Sequence, residues 1–361
     1  MTTNPTPSSQ RVATMTGRER MLAALAFQPV DIVPLQIHPS PAGVFEHGQK
    51  LIDLLRACGH DFDDLSQLRV PVVPPEDFDA DGRYHKITTD AWGTTWEYRI
   101  YGIWGHRIGY PLADMANLAA YRPPAVARLQ GEELVRARAD AAAHRQRYFH
   151  VGGGISLFET MQSLRPFEDV LIDILQDTPE INRLADLLVE HYAVVVENAL
   201  AVDADAIAAG DDFGTQQALM ISPTAWRRFF KPRYRALFEP VVRAGKHVLF
   251  HSCGCIGPLL EDLREVGASS IWPQLPLFNH RELAQQCRAL GLAVQMHPDR
   301  GDLMQRGTPT QVRDYVLRLV EEFDPLAGGA WLYLEIDPGF PWANVEALVQ
   351  TAIELRQPRS G

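Results

Sequence analysis

Val248-Leu249-Phe250-His251-Ser252-Cys253-Gly254-Cys255 is the stretch on which the reading of this chain turns. Val248 to Phe250 is a short apolar run of the kind that forms a buried strand. Strand side chains alternate between faces, so His251 and Cys253 project the same way. An imidazole and a thiolate projecting together at a strand end make half of a zinc site. The plainer alternative is a buried cysteine beside a core histidine. Gly254 lets the chain turn immediately afterwards.

The same pattern, a short apolar strand ending in polar residues, recurs on both sides. Asp31 to His38, Tyr148 to Val151, Ala204 to Ala209, Ser269 to Trp272, Leu292 to Met296 and Trp331 to Leu334 all read as strands. They end in His38, Gly152-Gly153-Gly154, Gly210-Asp211-Asp212, Pro273-Gln274, His297-Pro298-Asp299-Arg300-Gly301 and Glu335-Ile336-Asp337. From Thr178 onward, helical stretches separate successive strands: 178–201, 223–244, 256–266, 281–290 and 309–322. Strands alternating with helices predict an α/β fold with a parallel sheet. Polar residues gathered at C-terminal strand ends match the active-site face of a single (β/α)8 (TIM) barrel. Seven strands are legible, and the eighth is expected between Asp61 and Val73. A doubly wound open sheet is the alternative.

Two regions stand apart. Residues 84–110 alternate like antiparallel strands and gather Trp92, Trp96, Tyr98, Tyr101 and Trp104, which predicts an inserted β-hairpin region over one end of the barrel. Residues 1–15 read as a disordered tail without the basic and apolar segments of a secretory signal. Thr16-Gly17-Arg18-Glu19 has capping-box spacing ahead of a helix, so the barrel is expected over 16–361.

Bulk properties narrow the function. The chain has 361 residues, 46% of them hydrophobic, enough for one large barrel core. A net charge of -11 argues against a general nucleic-acid binder. No apolar run is long enough to span a bilayer. Four cysteines in a chain of this length do not suggest a disulfide framework, and a cytoplasmic location is expected.

Several motifs resemble one known family. Gly17-Arg18-Glu19-Arg20, Gln28-Pro29-Val30-Asp31-Ile32-Val33-Pro34, Asp90-Ala91-Trp92-Gly93-Thr94, His251-Ser252-Cys253-Gly254, Gly307-Thr308-Pro309 and Asn344-Val345-Glu346-Ala347-Leu348 occur in the order and spacing of the uroporphyrinogen decarboxylase superfamily. The resemblance covers nearly the whole chain and implies a (β/α)8 barrel. That superfamily holds true decarboxylases and zinc-dependent, corrinoid-linked methyltransferases. The decarboxylases carry an arginine-rich segment after the first strand; here it reads His38-Pro39-Ser40-Pro41-Ala42-Gly43, without arginine. A ligand with eight carboxylates needs several guanidinium forks. The methyltransferase branch is the closer one, and its zinc-binding His-x-Cys falls on His251 and Cys253. The branch's third ligand is usually a cysteine near the last strand; this chain offers Glu335 and Asp337 instead. Glu335 is the expected third ligand, with Asp337 and Cys255 as alternatives.

Other strand-end residues carry candidate roles. Asp211 and Asp212 could orient substrate or act as a general acid, Asp212 ahead of Asp211, or one of them caps a helix or turn. His297 is a candidate catalytic proton donor or zinc ligand. His38, Gln274 and Arg300 are candidate substrate-binding groups, Arg300 through a substrate carboxylate. The triple glycine 152–154 lacks the lysine and hydroxyl of a P-loop and reads as clearance for a bulky ligand or partner.

The leading functional expectation is a zinc-dependent methyltransferase. It would move a methyl group between a small O-methyl compound and a cobalamin (corrinoid) carried on a separate protein, because no Asp-x-His-x-x-Gly corrinoid module is present. A carboxylate in place of a thiolate makes zinc a better Lewis acid for a departing oxygen. The aromatic-rich insert suggests a methoxylated aromatic donor. The alternatives are a decarboxylase of a small acid using Arg300 and Arg165, a methylcorrinoid:thiol methyltransferase, and a binding protein without turnover. Neither nucleic acid nor membrane is an expected partner; a homodimer is left open.

Overall fold

The strand reading converges on one curved sheet. In the structure, a computed structural model that describes residues 13–357, seven parallel strands form it. They are β1 (Leu35–His38), β5 (Val151–Ile155), β6 (Ala206–Gly210), β7 (His247–Ser252), β8 (Ser270–Pro273), β9 (Ala293–Met296) and β10 (Ala330–Glu335). β2 (Lys86–Thr89), β3 (Thr95–Tyr98) and β4 (His106–Gly109) form a separate antiparallel sheet. The order in the large sheet is β1-β10-β9-β8-β7-β6-β5, so each consecutive pair from β5 to β10 is adjacent and β10 returns beside β1. That winding is TIM-barrel-like.

Seven of the eight expected strands are formed among the described residues. The eighth was expected between Asp61 and Val73, and no strand occurs there. A short extended segment stands at its beginning instead. The Asp61 amide donates to the Leu35 carbonyl (2.9 Å), and the Phe149 amide donates to the Asp61 carbonyl (2.8 Å). This segment links β1 to the residues entering β5. Asp61 is itself buried, and its carboxylate accepts from the Leu35 amide, Arg20 and Arg356.

Alternation explains the packing. On β6, Ile207 and Ala209 face the main hydrophobic core under the helices, whereas Ala206 packs with Met21, Leu25, Phe149, Leu249, Ala293 and Trp331 inside the sheet's curve. The inward column of β6 is therefore Ala206, Ala208 and Gly210. The branched side chains that usually fill a barrel interior are missing along this column. Gly152 and Gly153 lie within β5, not after it. Cβ atoms on them would sit 2.8 Å from Ala204 and 2.7 Å from Val195, so these glycines allow close packing against neighbouring chain. Gly154 meets nothing within 4 Å and keeps the expected clearance.

The 84–110 region contains three strands where two were expected, β4 being the addition. Trp96 is buried at its base, and its indole N–H donates to Asp90 (2.8 Å). Thr16 caps the helix Gly17–Leu25 with Glu19 answering, as the spacing predicted. Residues 1–12, most of the expected tail, lie outside the described residues; the Thr14 and Met15 amides donate to Asp31. No helix among the described residues is long and apolar enough to cross a membrane.

Candidate metal centre

β7 delivers His251 inward, and Cys253 follows on the same face. The turn behind them is made by Gly254 at φ 81°. A Cβ there would lie 2.1 Å from the Gly214 carbonyl, so only glycine lets the β6 and β7 loops close on each other. The two loops are joined by hydrogen bonds from the Gly214 amide to the Cys253 carbonyl (3.2 Å) and from the Cys255 amide to the Thr215 carbonyl (2.8 Å). The Phe213 amide also donates to Ser252 Oγ (3.1 Å).

This clamp brings in Asp212, next in the inward column after Gly210. One donor atom each from Asp212, His251 and Cys253 lie within 4.8 Å of one another. The Cys253 amide donates to Asp212 Oδ1 (2.8 Å), and His251 Nε2 stands 3.3 Å from that oxygen and 3.5 Å from Cys253 Sγ. His251 Nδ1 donates to the Trp272 carbonyl (2.9 Å), which orients the ring and directs Nε2 to the other two groups. Burial opposes charge on His251, but Asp212 and Cys253 outweigh it and push its pKa up to about 9. Burial likewise opposes ionisation of Asp212, and the His251 contact overcomes it and holds the carboxyl below its ordinary value. Imidazole, thiolate and carboxylate at these separations suit zinc, and three protein donors leave a position for a reactant.

The other site residues fall into place differently. Glu335, expected as third ligand, is not in the three-residue group. Its carboxylate is held by Arg300 (2.8 Å), with His38 Nε2 at 3.9 Å and His297 Nε2 at 4.0 Å. Burial raises the Glu335 carboxyl above its usual range against the pull of Arg300. Asp337 meets the same guanidinium at 3.2 Å. Arg300, expected to grip a substrate carboxylate, is thus already occupied by two carboxylates of its own chain.

Asp211, expected as a catalytic group, points outward with Ile207 and Ala209. It is 1% exposed and accepts from Ser156 Oγ (2.9 Å) and the Leu157 (2.8 Å) and Glu159 (2.7 Å) amides, as well as from Tyr234. It caps the helix Leu157–Leu164. Burial pushes its carboxyl up to about 7 despite those bonds.

His297 is buried, and its Nδ1 donates to the Pro298 carbonyl (2.5 Å). Burial, with Arg300 nearby, lowers its pKa to about 3, so it is neutral with an unprotonated Nε2. It can accept a proton or hydrogen bond at neutral pH but has no proton to give from Nε2.

Gln274, expected to touch substrate, accepts from the Gly254 amide (3.1 Å) and pairs with Gln216 (3.0 and 3.2 Å), so it positions the loop that carries Cys253. Cys255 donates to the Gln216 carbonyl (3.3 Å), away from the three-residue group. His38 stacks on Tyr333 with ring centroids 6.4 Å apart. Both rings line a cavity of about 400 Å³ that reaches His251 and Trp272 and passes down the sheet's concave side. Arg165 is bound by Asp173 (2.8 Å) and the Leu112 and Ala113 carbonyls.

A family model described as uroporphyrinogen decarboxylase (URO-D) matches residues 16–355. The chain belongs to the uroporphyrinogen decarboxylase family. Among solved structures, it is similar to a methyltransferase from Methanosarcina mazei, with a TM-score of 0.58 and 17% identity over 94% of this chain and 99% of that one. At that identity the likeness establishes the shared fold. A B12-independent methionine synthase from Shewanella sp. W3-18-1 aligns over 85% of each chain at 12% identity and a TM-score of 0.44. A dihydropteroate synthase from Xanthomonas albilineans aligns over 55% of this chain and 65% of that chain, at 13% identity and a TM-score of 0.36. Neither of these two carries weight at such scores. No curated protein matches the chain.

Proposed function

We propose that this member of the family is a cytoplasmic, zinc-dependent methyltransferase. It moves a methyl group between a small O-methyl compound and a corrinoid carried by a separate protein. The observation that carries the reading is the convergence of Asp212, His251 and Cys253, with the histidine tautomer fixed by the Trp272 carbonyl. Asp212 takes the carboxylate role first expected of Glu335, so the donor set keeps one nitrogen, one sulfur and one oxygen. When bound, zinc supplies Lewis acidity to the oxygen that departs from the methyl group.

The chain's own residues do the rest. Gln274 and Gly254 fix the loop, Trp272 orients His251, and neutral His297 offers a hydrogen-bond acceptor at Nε2. The decarboxylase alternative calls for free guanidinium groups to hold substrate carboxylates. Arg300 and Arg165 are both engaged within the chain, which favours methyl transfer.

The test is turnover of zinc-loaded protein with a methoxylated substrate and a Co(I) corrinoid, followed by the appearance of methylcobalamin in the visible spectrum. Loss of turnover in Asp212→Asn and Cys253→Ala, with folding intact, is the expected result. Turnover that needs a thiol acceptor, or decarboxylation without zinc, would overturn the reading.

A further inference from the structure

The cavity beside His251 has an unusual lining. Among the described residues, no lysine, arginine, aspartate or glutamate contributes to it. Its walls are aromatic, from Trp272, Tyr333, Phe149 and Phe62, and its polar atoms come from two glutamines, Gln36 and Gln295, and from the imidazoles of His38, His144, His150 and His251. Gln295 is 4% exposed; it donates one amide hydrogen to Ser270 Oγ (3.3 Å). Gln36 accepts from the Trp331 indole N–H (3.2 Å). The carbonyl of Gln295 and the amide of Gln36 have no protein hydrogen bond among the described residues. These are one acceptor and one donor open to a ring-sized space, which His150 also lines with an Nδ1 buried without a partner among the described residues. The space exists because Ala208 stands on the inward column of β6, where a branched residue would fill it.

Among the described residues, no guanidinium or ammonium group lines the same wall. Arg300 lies over Trp272, with its guanidinium 5.9 Å from the ring centroid. Glu335 and Asp337 already hold it. A ligand carboxylate would have to displace them or lie among aromatic rings and imidazoles without a guanidinium or ammonium partner, and burying a poorly paired charge is costly.

We propose that this cavity takes the ring of an uncharged methoxylated phenol, with Gln36 and Gln295 meeting its oxygens, and that it rejects the carboxylated ring of the same size. The inference rests on the methyl-transfer reading and names its substrate class.

The test is calorimetric binding of 2-methoxyphenol and of 4-hydroxy-3-methoxybenzoate to the zinc-loaded full chain, without corrinoid. The phenol is expected to bind at least 30-fold more tightly. Gln295→Leu should weaken phenol binding about tenfold, and Ala208→Leu, which fills the cavity, should abolish it while zinc content stays at the wild-type level. Equal or tighter binding of the benzoate, or unchanged phenol binding in folded Ala208→Leu, would overturn the inference. Protein that binds neither ring yet demethylates an aliphatic ether would overturn the inference and leave the methyl-transfer reading standing. Phenol binding with no zinc uptake would do the reverse.

Discussion

Asp211 and Asp212 are neighbours in sequence, yet the structure predicts opposite consequences for the same isosteric change. Each Asp211 oxygen accepts one backbone amide: Oδ1 from Glu159 and Oδ2 from Leu157. Ser156 also donates to Oδ1, and Tyr234 to Oδ2. In Asp211→Asn the new NH2 group faces a backbone N–H whichever way the amide is turned. The hydroxyls of Ser156 and Tyr234 can rotate to accept; the amides cannot. One buried amide is left unpaired against a donor, at a cost of about 1–3 kcal/mol. Asp212→Asn differs, because its carbonyl can keep the Cys253 amide bond and its other edge is part-exposed, so the stability cost is below about 1 kcal/mol. Asp212→Asn should instead lower zinc affinity sharply, since a neutral amide replaces a carboxylate ligand. Urea denaturation at pH 8, above the raised Asp211 pKa of about 7, and zinc analysis of both variants make the comparison. Equal stabilities, or zinc loss in Asp211→Asn without loss of stability, would refute the assignment of one carboxylate to the fold and the other to the metal.

Three further outcomes are expected. Burial lowers the pKa of His60 to about 4, against an unfolded value near 6.5, so the folded state refuses a proton that the unfolded chain takes. Its contribution is therefore complete above pH 6.5 and is lost as pH falls toward 4, at up to about 1.4 kcal/mol per pH unit and roughly 3 kcal/mol in all. His60→Asn, which can still accept from the Ile37 amide, should flatten the stability–pH curve over that window; an unchanged curve would contradict the burial of a neutral ring. Gly254→Ala should cost more than about 3 kcal/mol and reduce bound zinc, because a positive φ and a backbone clash coincide there. Gly245→Ala, at φ 69° with nothing within 4 Å, should cost about 1 kcal/mol and leave zinc unchanged; indistinguishable melting curves would defeat the clamp argument.

Much of this was legible from alternation alone. All seven strands read from apolar runs are present, because each run had polar or glycine boundaries. The exception in placement is β5, whose glycines carry little strand signal and which begins at Val151 and includes them. The eighth strand was not legible because it does not form: Asp61 spends its backbone groups on β1 and on Phe149 within a short segment. The His-x-Cys motif was read correctly as two groups on one face. Glu335 was the expected third member; in the structure Asp212 is the carboxylate that joins the pair, and Arg300 holds Glu335, a contact that sequence cannot reveal. A usable signal was present at β6. Ile207 and Ala209 share parity with Asp211, and Ala206, Ala208 and Gly210 with Asp212. The small residues marked the inward face, so parity places Asp212 inside and Asp211 against the helices. Gln36 and Gln295 escaped notice because each sits within a strand, where an inward glutamine looks like an ordinary polar position until the emptiness beside Ala208 is known.

The central claim is that Asp212, His251 and Cys253 hold a metal. It is tested most directly by elemental analysis of wild-type protein and of the Cys253→Ala and Asp212→Asn variants, all grown with added zinc. About one zinc per chain in wild type, falling steeply in both variants while Glu335→Gln retains it, is the predicted result. Folded wild-type protein without zinc, or zinc lost in Glu335→Gln and kept in Asp212→Asn, would contradict the account.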